Sequence, residues 1–273
     1  MKTQDYPEGP APHILTEDNI LKREIVWLAA LLPALLGFVV FHFPAALVTI
    51  AASLMGILAA NLAAAAFLQT KFRWDGFDYL AGLVLVLWVP PYFPAAGVAV
   101  ASLLGLFFGK LIFGSGPMAN GLLNPALLGY AFLQLNFPHD LKLGTFALQP
   151  LGSSIEAAFM PFSILLGGIL LLSQRLILWE VPLIFAGVLL GFKILLPFDA
   201  NVSYSRILFT AFFLISDPLA RPLTRRSFHI VTICAAVLTY GLYFSNPVLV
   251  PEIFALLLMN LFTPWLDQWS QKK

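Results

Sequence analysis

Charge is the scarcest commodity in this chain. Only 11% of its 273 residues are Asp, Glu, Lys or Arg, against about 25% in an ordinary soluble domain. With 60% hydrophobic residues and a mean hydropathy of +0.88, that deficit assigns most of the chain to lipid. A net charge of +1 excludes the clustered basic surface that nucleic-acid binding requires. Cysteine is nearly absent too. The single thiol, Cys234, sits in an apolar run and reads as a small core residue. It rules out a disulfide within the chain and any cysteine-ligated zinc or iron–sulfur site. A cleavable leader is also missing, because residues 1–24 are polar, carry Pro7, Pro10 and Pro12, and contain no apolar h-region. They read as a short cytoplasmic arm. His13, His42, His139 and His229 are scattered along the chain. They offer no facing pair at matched depth, which argues against haem b.

What remains is a succession of apolar runs, at about 25–42, 44–68, 79–89, 95–113, 121–137, 158–173, 178–196, 206–216, 228–244 and 248–265. A spanning helix needs about 20 residues at 1.5 Å each, and most of these runs reach or approach that. Runs 79–89 and 206–216 cover only about half of the hydrocarbon core. The expected fold is therefore an all-α polytopic membrane protein of about ten helices. With the N-terminus inside and an even number of crossings, only Lys142, Lys193 and Arg206 fall outside, as the positive-inside rule asks. Both termini are then cytoplasmic. Residues 25–273 form a single transmembrane domain.

The two short runs resemble each other. LVLVLWVPPYFP ends at Pro94, and AFFLISDPLARP ends at Pro222. The interval from Pro90 to Pro218 equals that from Pro94 to Pro222. This points to two inverted five-helix repeats, one over about 25–137 and the other over about 158–265, with broken helices flanking a midplane site. Broken helices survive in lipid only where their backbone faces protein or a cavity.

Three stretches could carry chemistry. In GSGPMANGLLNPALLGY, residues 114–130, glycines and asparagines lead into a helix starting near Asn124. Free N–H groups and Asn amides there could hold an anion or a polar ring edge, although Asn124 before Pro125 is also a good helix cap. In FFLISDPLARPLTRR, residues 212–226, Asp217 closes the second short helix. An acid at membrane depth is either an ion or cofactor ligand or a turn cap paired with Arg221. The following Arg cluster reads as a topology signal. In WDGFDYLAG, Asp75 and Asp78 precede the first short helix, where the helix dipole favours them. Asp75 and Asp217 are the candidates for ion coupling.

Taken together, APHILTEDNILKREIVWLAALLPALL, DGFDYLAGLVLVLWVPP, GKLIFGSGPMANGLLNPALLGYAF, FFLISDPLARPLTRR and PEIFALLLMNLFTPWLDQW resemble the membrane-embedded D subunit of Rnf electron-transport complexes and the B subunit of sodium-translocating NADH:quinone oxidoreductase. The resemblance implies a bacterial inner-membrane protein with a fold related to urea channels. It also implies a bound flavin, riboflavin or FMN, and electron transfer across the membrane, coupled to Na+ or H+ and carried out beside other membrane and peripheral subunits. By this resemblance Gly116, Asn120, Gly121, Asn124 and Asp217 surround a non-covalent flavin. The family attaches FMN to Thr in a Ser-Gly-Ala-Thr motif that this chain lacks. Ser154, in LGSSIEAA, is the nearest position for a covalent FMN, but the spacing from Glu156 to Gly167 and Gly168 favours deletion of the attachment loop. Relatives also carry two Asn three residues apart, whereas Asn120 and Asn124 are four apart. No nicotinamide-binding fingerprint or cluster ligands are present, so the chain is not a complete enzyme alone. The competing expectations are a flavin-free channel or transporter, since fold alone does not assign function, and a non-redox scaffold subunit.

Overall fold

A computed structural model describes residues 17–67, 75–112, 123–138, 141, 154–195, 204–245 and 250–271. Among these the chain is helical and contains no strand. The helices are α1 (Glu17–His42), α2 (Ala45–Phe67), α3 (Gly76–Trp88), α4 (Ala95–Leu106), α5 (Pro125–Asn136), α6 (Ser154–Ser173), α7 (Glu180–Leu195), α8 (Tyr204–Phe209), α9 (Arg225–Ser245) and α10 (Pro251–Gln271). Two of them run on into a π-helical turn, α4 over Phe107–Ile112 and α8 over Thr210–Leu214. Each follows an apolar run expected from the sequence. The clearest shift is at the start, where α1 begins at Glu17 rather than near Ile25. Glu17 and Asp18 favour that extension, because acids stabilise the positive end of a helix dipole. The polar arm is correspondingly shorter.

By length and composition, three described helices could cross a membrane: Ile20–His42, Ala45–Phe67 and Ala95–Ile112. Their outward faces are apolar. Leu36, Val40, Met55, Leu62 and Val100 are all exposed, a surface that water would penalise and acyl chains accept. This is a membrane protein.

Helix contacts rest on small residues, as expected where lipid is as apolar as leucine and close approach supplies the attraction. A Cβ on Gly167 of α6 would sit 2.1 Å from the Ala30 carbonyl of α1. One on Gly56 of α2 would sit 2.1 Å from the Ala99 carbonyl of α4. Ser53 adds polar glue, donating to the Gly82 carbonyl at 2.9 Å and sharing a 2.8 Å hydrogen bond with Ser102.

Packing partners recur between the halves. α2 packs on α4 as α7 packs on α9, α4 on α5 as α9 on α10, and α1 on α3 as α6 on α8. The short helices α3 and α8 meet through aromatic rings. The Trp88 ring lies 6.3 Å from Phe209 and 6.0 Å from Tyr130, and Phe209 stacks on Phe213 at 4.9 Å. All four side chains are fully buried.

Candidate functional site

Asn124 has an extended backbone, and Pro125 fixes the first turn of α5. Its Oδ1 accepts from the backbone N–H groups of Ala126 at 2.9 Å and Leu127 at 3.3 Å. The capping expectation is met, and the amide does more. Its Nδ2 donates to Asp217 Oδ2 at 2.8 Å across 93 residues of sequence. Asp217 Oδ1 accepts from the Leu219 N–H at 2.8 Å, closing a turn after the second short helix. Both side chains are buried. The Asn124–Pro125 helix start and the Asp217–Pro218 turn are therefore tied by one polar bridge. Arg221 instead donates to the Leu176 carbonyl at 3.4 Å.

Shortly before that bridge in sequence lies Lys110, in the π turn. Its neighbour Gly109 packs so closely on the Asn124 turn that a methyl group there would meet the Leu123 carbonyl at 3.1 Å. The Lys110 ammonium is buried and donates to Asp75 Oδ2 and Asp78 Oδ1, both at 2.5 Å. Asp75 also caps α3 by accepting from the Phe77 N–H at 3.0 Å. Glu24 of α1 accepts from the Gly76 N–H at 3.1 Å. Gly76 lacks the Cβ that would collide with that carboxylate at 2.4 Å. Two elements, α1 and the π turn after α4, thus converge on the start of α3. π turns often mark functional sites in helices, and here the extra residue turns a lysine inward.

A second charged cluster lies at the other end of α3. Arg206 of α8 donates to Glu252 of α10 at 2.5 Å, and Tyr243 donates to the same carboxylate at 2.6 Å. The guanidinium also lies over the Trp88 ring at 5.5 Å, a cation–π contact strengthened by desolvation. The end of α3 thus meets the start of α8. The end of α8 leads back to Asp217, beside Asn124 and the level of Lys110. The two short helices therefore run in opposite directions.

Of the site residues expected from sequence, the structure joins Asn124 to Asp217 and places Asp75 one cluster away, on Lys110. Gly116, Asn120 and Gly121 lie outside the described residues. Ser154 is the first residue of α6, and its side chain is not among those described. The carboxylate Glu156 sits 3.3 Å from His42 Nε2 at the end of α1. His229 pairs with Glu180 at 2.5 Å. Lys110 and Arg206 were counted in the sequence only as topology signals, and Glu252 was not singled out. The signal that could have found them is charge inside an apolar run, which by default marks function.

The family described as NQR2, RnfD, RnfE matches residues 9–273 of this chain. The chain is 29% identical to the D subunit of an ion-translocating oxidoreductase complex from Methanosarcina acetivorans, over 96% of this chain and 94% of that protein. It is 26% identical to the protein of the same name from Pseudomonas aeruginosa, over 98% and 95%. It is 24% identical to the D subunit of the proton-translocating ferredoxin:NAD(+) oxidoreductase complex of Clostridium ljungdahlii, over 99% and 96%. The alignment with the P. aeruginosa protein runs to 332 positions, more than the 273 residues of this chain, so that relative holds stretches missing here. On these matches, with the helical membrane architecture above, the chain belongs to the NQR2, RnfD, RnfE family.

Proposed function

We propose that this chain is the membrane subunit of an ion-translocating, Rnf-type electron-transport complex, working beside other membrane and peripheral subunits. The observation that carries this is the end-to-end likeness to the D subunits of such complexes. The chain is read as ten crossings in two inverted five-helix halves, related to the urea-channel fold, with both termini cytoplasmic. Opposed short helices, matched packing partners and the sidedness of Lys and Arg support that reading.

A non-covalent flavin is proposed beside Asn124 and Asp217. The residues fit it chemically. The second N–H of the Asn124 amide and the free lone pairs of Asp217 complement the alternating carbonyl and N–H groups of a flavin ring edge. When bound, the flavin would supply the one- and two-electron chemistry. The chain's own contribution is to hold the ring edge, exclude water through the Trp88, Tyr130, Phe209 and Phe213 cluster, and keep charge near the electron's path. Asp217, with Asp75 on Lys110, is the candidate for coupling to Na+ or H+. The absence of a Ser-Gly-Ala-Thr motif from the chain supports loss of the covalent-flavin loop.

Visible absorbance of detergent-purified protein, before and after acid precipitation, tests this. Flavin released to the supernatant is the expected result. Flavin retained in the pellet makes it covalent, with Ser154 the first residue to replace. Colourless protein, even when expressed with added flavin, sinks the redox reading and leaves a channel or a scaffold subunit.

A further inference from the structure

We propose that the cavity beneath the second proline-marked turn binds a phosphoryl anion, carried by a lipid headgroup or by a soluble phosphate, through Arg23, Arg175 and Arg221. The inference needs no redox chemistry and stands apart from the flavin reading.

The cavity has a volume of about 520 Å³, within the roughly 300–1,000 Å³ of ligand pockets. Four arginines line it: Arg23 of α1, Arg175 between α6 and α7, Arg221 in the turn before α9, and Arg225 at the start of α9. No described lining residue is acidic. Arg225 is neutralised from outside by Glu180, which also holds His229. The other nearby carboxylates are committed elsewhere. Asp217 faces Asn124 and Leu219, Glu24 faces Gly76, and Asp267 accepts from the N–H groups of Leu223 and Thr224 at 3.0 to 3.3 Å. That leaves three guanidinium groups around one space with no described carboxylate hydrogen-bonded to them.

Arg221 is half-buried between Pro218 and Pro222, and its one described hydrogen bond goes to the Leu176 carbonyl. Burial first, and then the like charge of Arg23, hold its guanidinium below its ordinary value, and the Asp217 carboxylate offsets only part of this. An anion seated between the two would remove that repulsion. Guanidinium forks match phosphoryl oxygens in pairs.

Two further observations point into the same space. Ser216 lines the cavity, is 1% exposed, and its Oγ has no hydrogen-bond partner. Burying a hydroxyl unpaired is costly, and a side-chain rotation that turns this Oγ to the cavity would let a phosphoryl oxygen satisfy it. Arg175 has φ 54° at the end of α6, where the Leu176 N–H returns to the Leu171 carbonyl at 3.0 Å. Such positions favour glycine. Arginine accepts the strain there, and its side chain reaches the cavity. A topology signal requires basic residues on one side of the membrane. It does not require them to converge on one pocket.

The test is thermal unfolding of the purified full chain in a neutral detergent at fixed ionic strength. The probes are phosphatidylglycerol, phosphatidylcholine and inorganic phosphate, compared across wild type, the Arg23→Gln/Arg221→Gln double variant, and Arg175→Gly. A saturable rise in Tm with phosphatidylglycerol but not phosphatidylcholine supports the site and names a lipid source. A saturable rise with inorganic phosphate supports it and names a soluble one. In either case affinity falls by about tenfold for each guanidinium removed, as expected for charge-assisted hydrogen bonds. Arg175→Gly keeps the test decisive if the double variant does not fold. It relieves the backbone, so it unfolds at a higher temperature without anion yet binds more weakly. No saturable response to either anionic probe, or unchanged affinity in the variants, overturns the proposal.

Discussion

At the residue scale, the buried charges do the specifying. Lys110 satisfies two carboxylates at once, so its removal strands both. Lys110→Met is expected to destabilise the protein by about 3–5 kcal/mol, read as a fall in the folded fraction on denaturant titration in detergent. Adding Asp78→Asn to that variant should recover part of the loss, since one stranded charge is then gone. A cost unchanged by the second substitution would show that Asp78 does not depend on Lys110. Asp217→Asn is a gentler change. The amide oxygen still accepts from Leu219, while the bond from Asn124 is lost because an NH2 replaces the oxygen it donated to; one lost hydrogen bond leaves the protein eluting from size exclusion as wild type. Ion-coupled electron transfer by the reconstituted complex should weaken. Full wild-type coupling would reduce Asp217 to a turn residue. Asn124 was legible as a cap from the Asn-Pro pair. Its bond to Asp217 was not, because a contact across 93 residues leaves no local pattern in a single sequence.

At the element scale, glycine separates contact from mere composition. Gly167 and Gly187 are both helical glycines in the second half. A Cβ at Gly167 would strike the Ala30 carbonyl and the Phe213 ring, whereas at Gly187 nothing lies within 4 Å. Gly167→Val should separate α1 from α6 and yield aggregated protein on size exclusion. Gly187→Ala should be neutral or stabilising by about 0.5–1 kcal/mol in thermal unfolding, the usual helix gain. Similar behaviour of both variants would mean that the α1–α6 contact does not need the close approach. Helix positions were readable because apolar runs bounded by Pro, Asn and Gly mark themselves. The π turns were not, since one extra residue in a helix leaves hydrophobicity unchanged while redirecting Lys110 inward.

At the scale of the whole molecule, the two halves are held together by unlike means at two levels. Near the Asn124 turn the tie is a neutral-to-acid hydrogen bond. At the far end of α3 it is the Arg206 guanidinium over the Trp88 ring, with Glu252 of the same half as Arg206 supplying its counter-ion. Glu252→Gln leaves Arg206 buried without its counter-ion, and burying an unpaired charge costs several kcal/mol. That variant should lose thermal stability far more than Glu180→Gln, whose partner Arg225 is exposed and whose ion pair is worth little. Equal losses would show that water already reaches the Arg206 cluster.

Sequence alone determined the membrane class, the helix succession, the two short segments and the family likeness, because each is written in local composition or in contiguous motifs. Only the tertiary structure decided that α3 and α8 run in opposite directions, that Asn124 faces Asp217, and that Lys110 and Arg206 turn inward onto acids. It likewise gathered arginines scattered from position 23 to position 225 around one cavity. The physical reason is common to all of these. Pairing of buried charge is set by which distant elements share a level in the bilayer, and hydropathy along a chain carries no record of that.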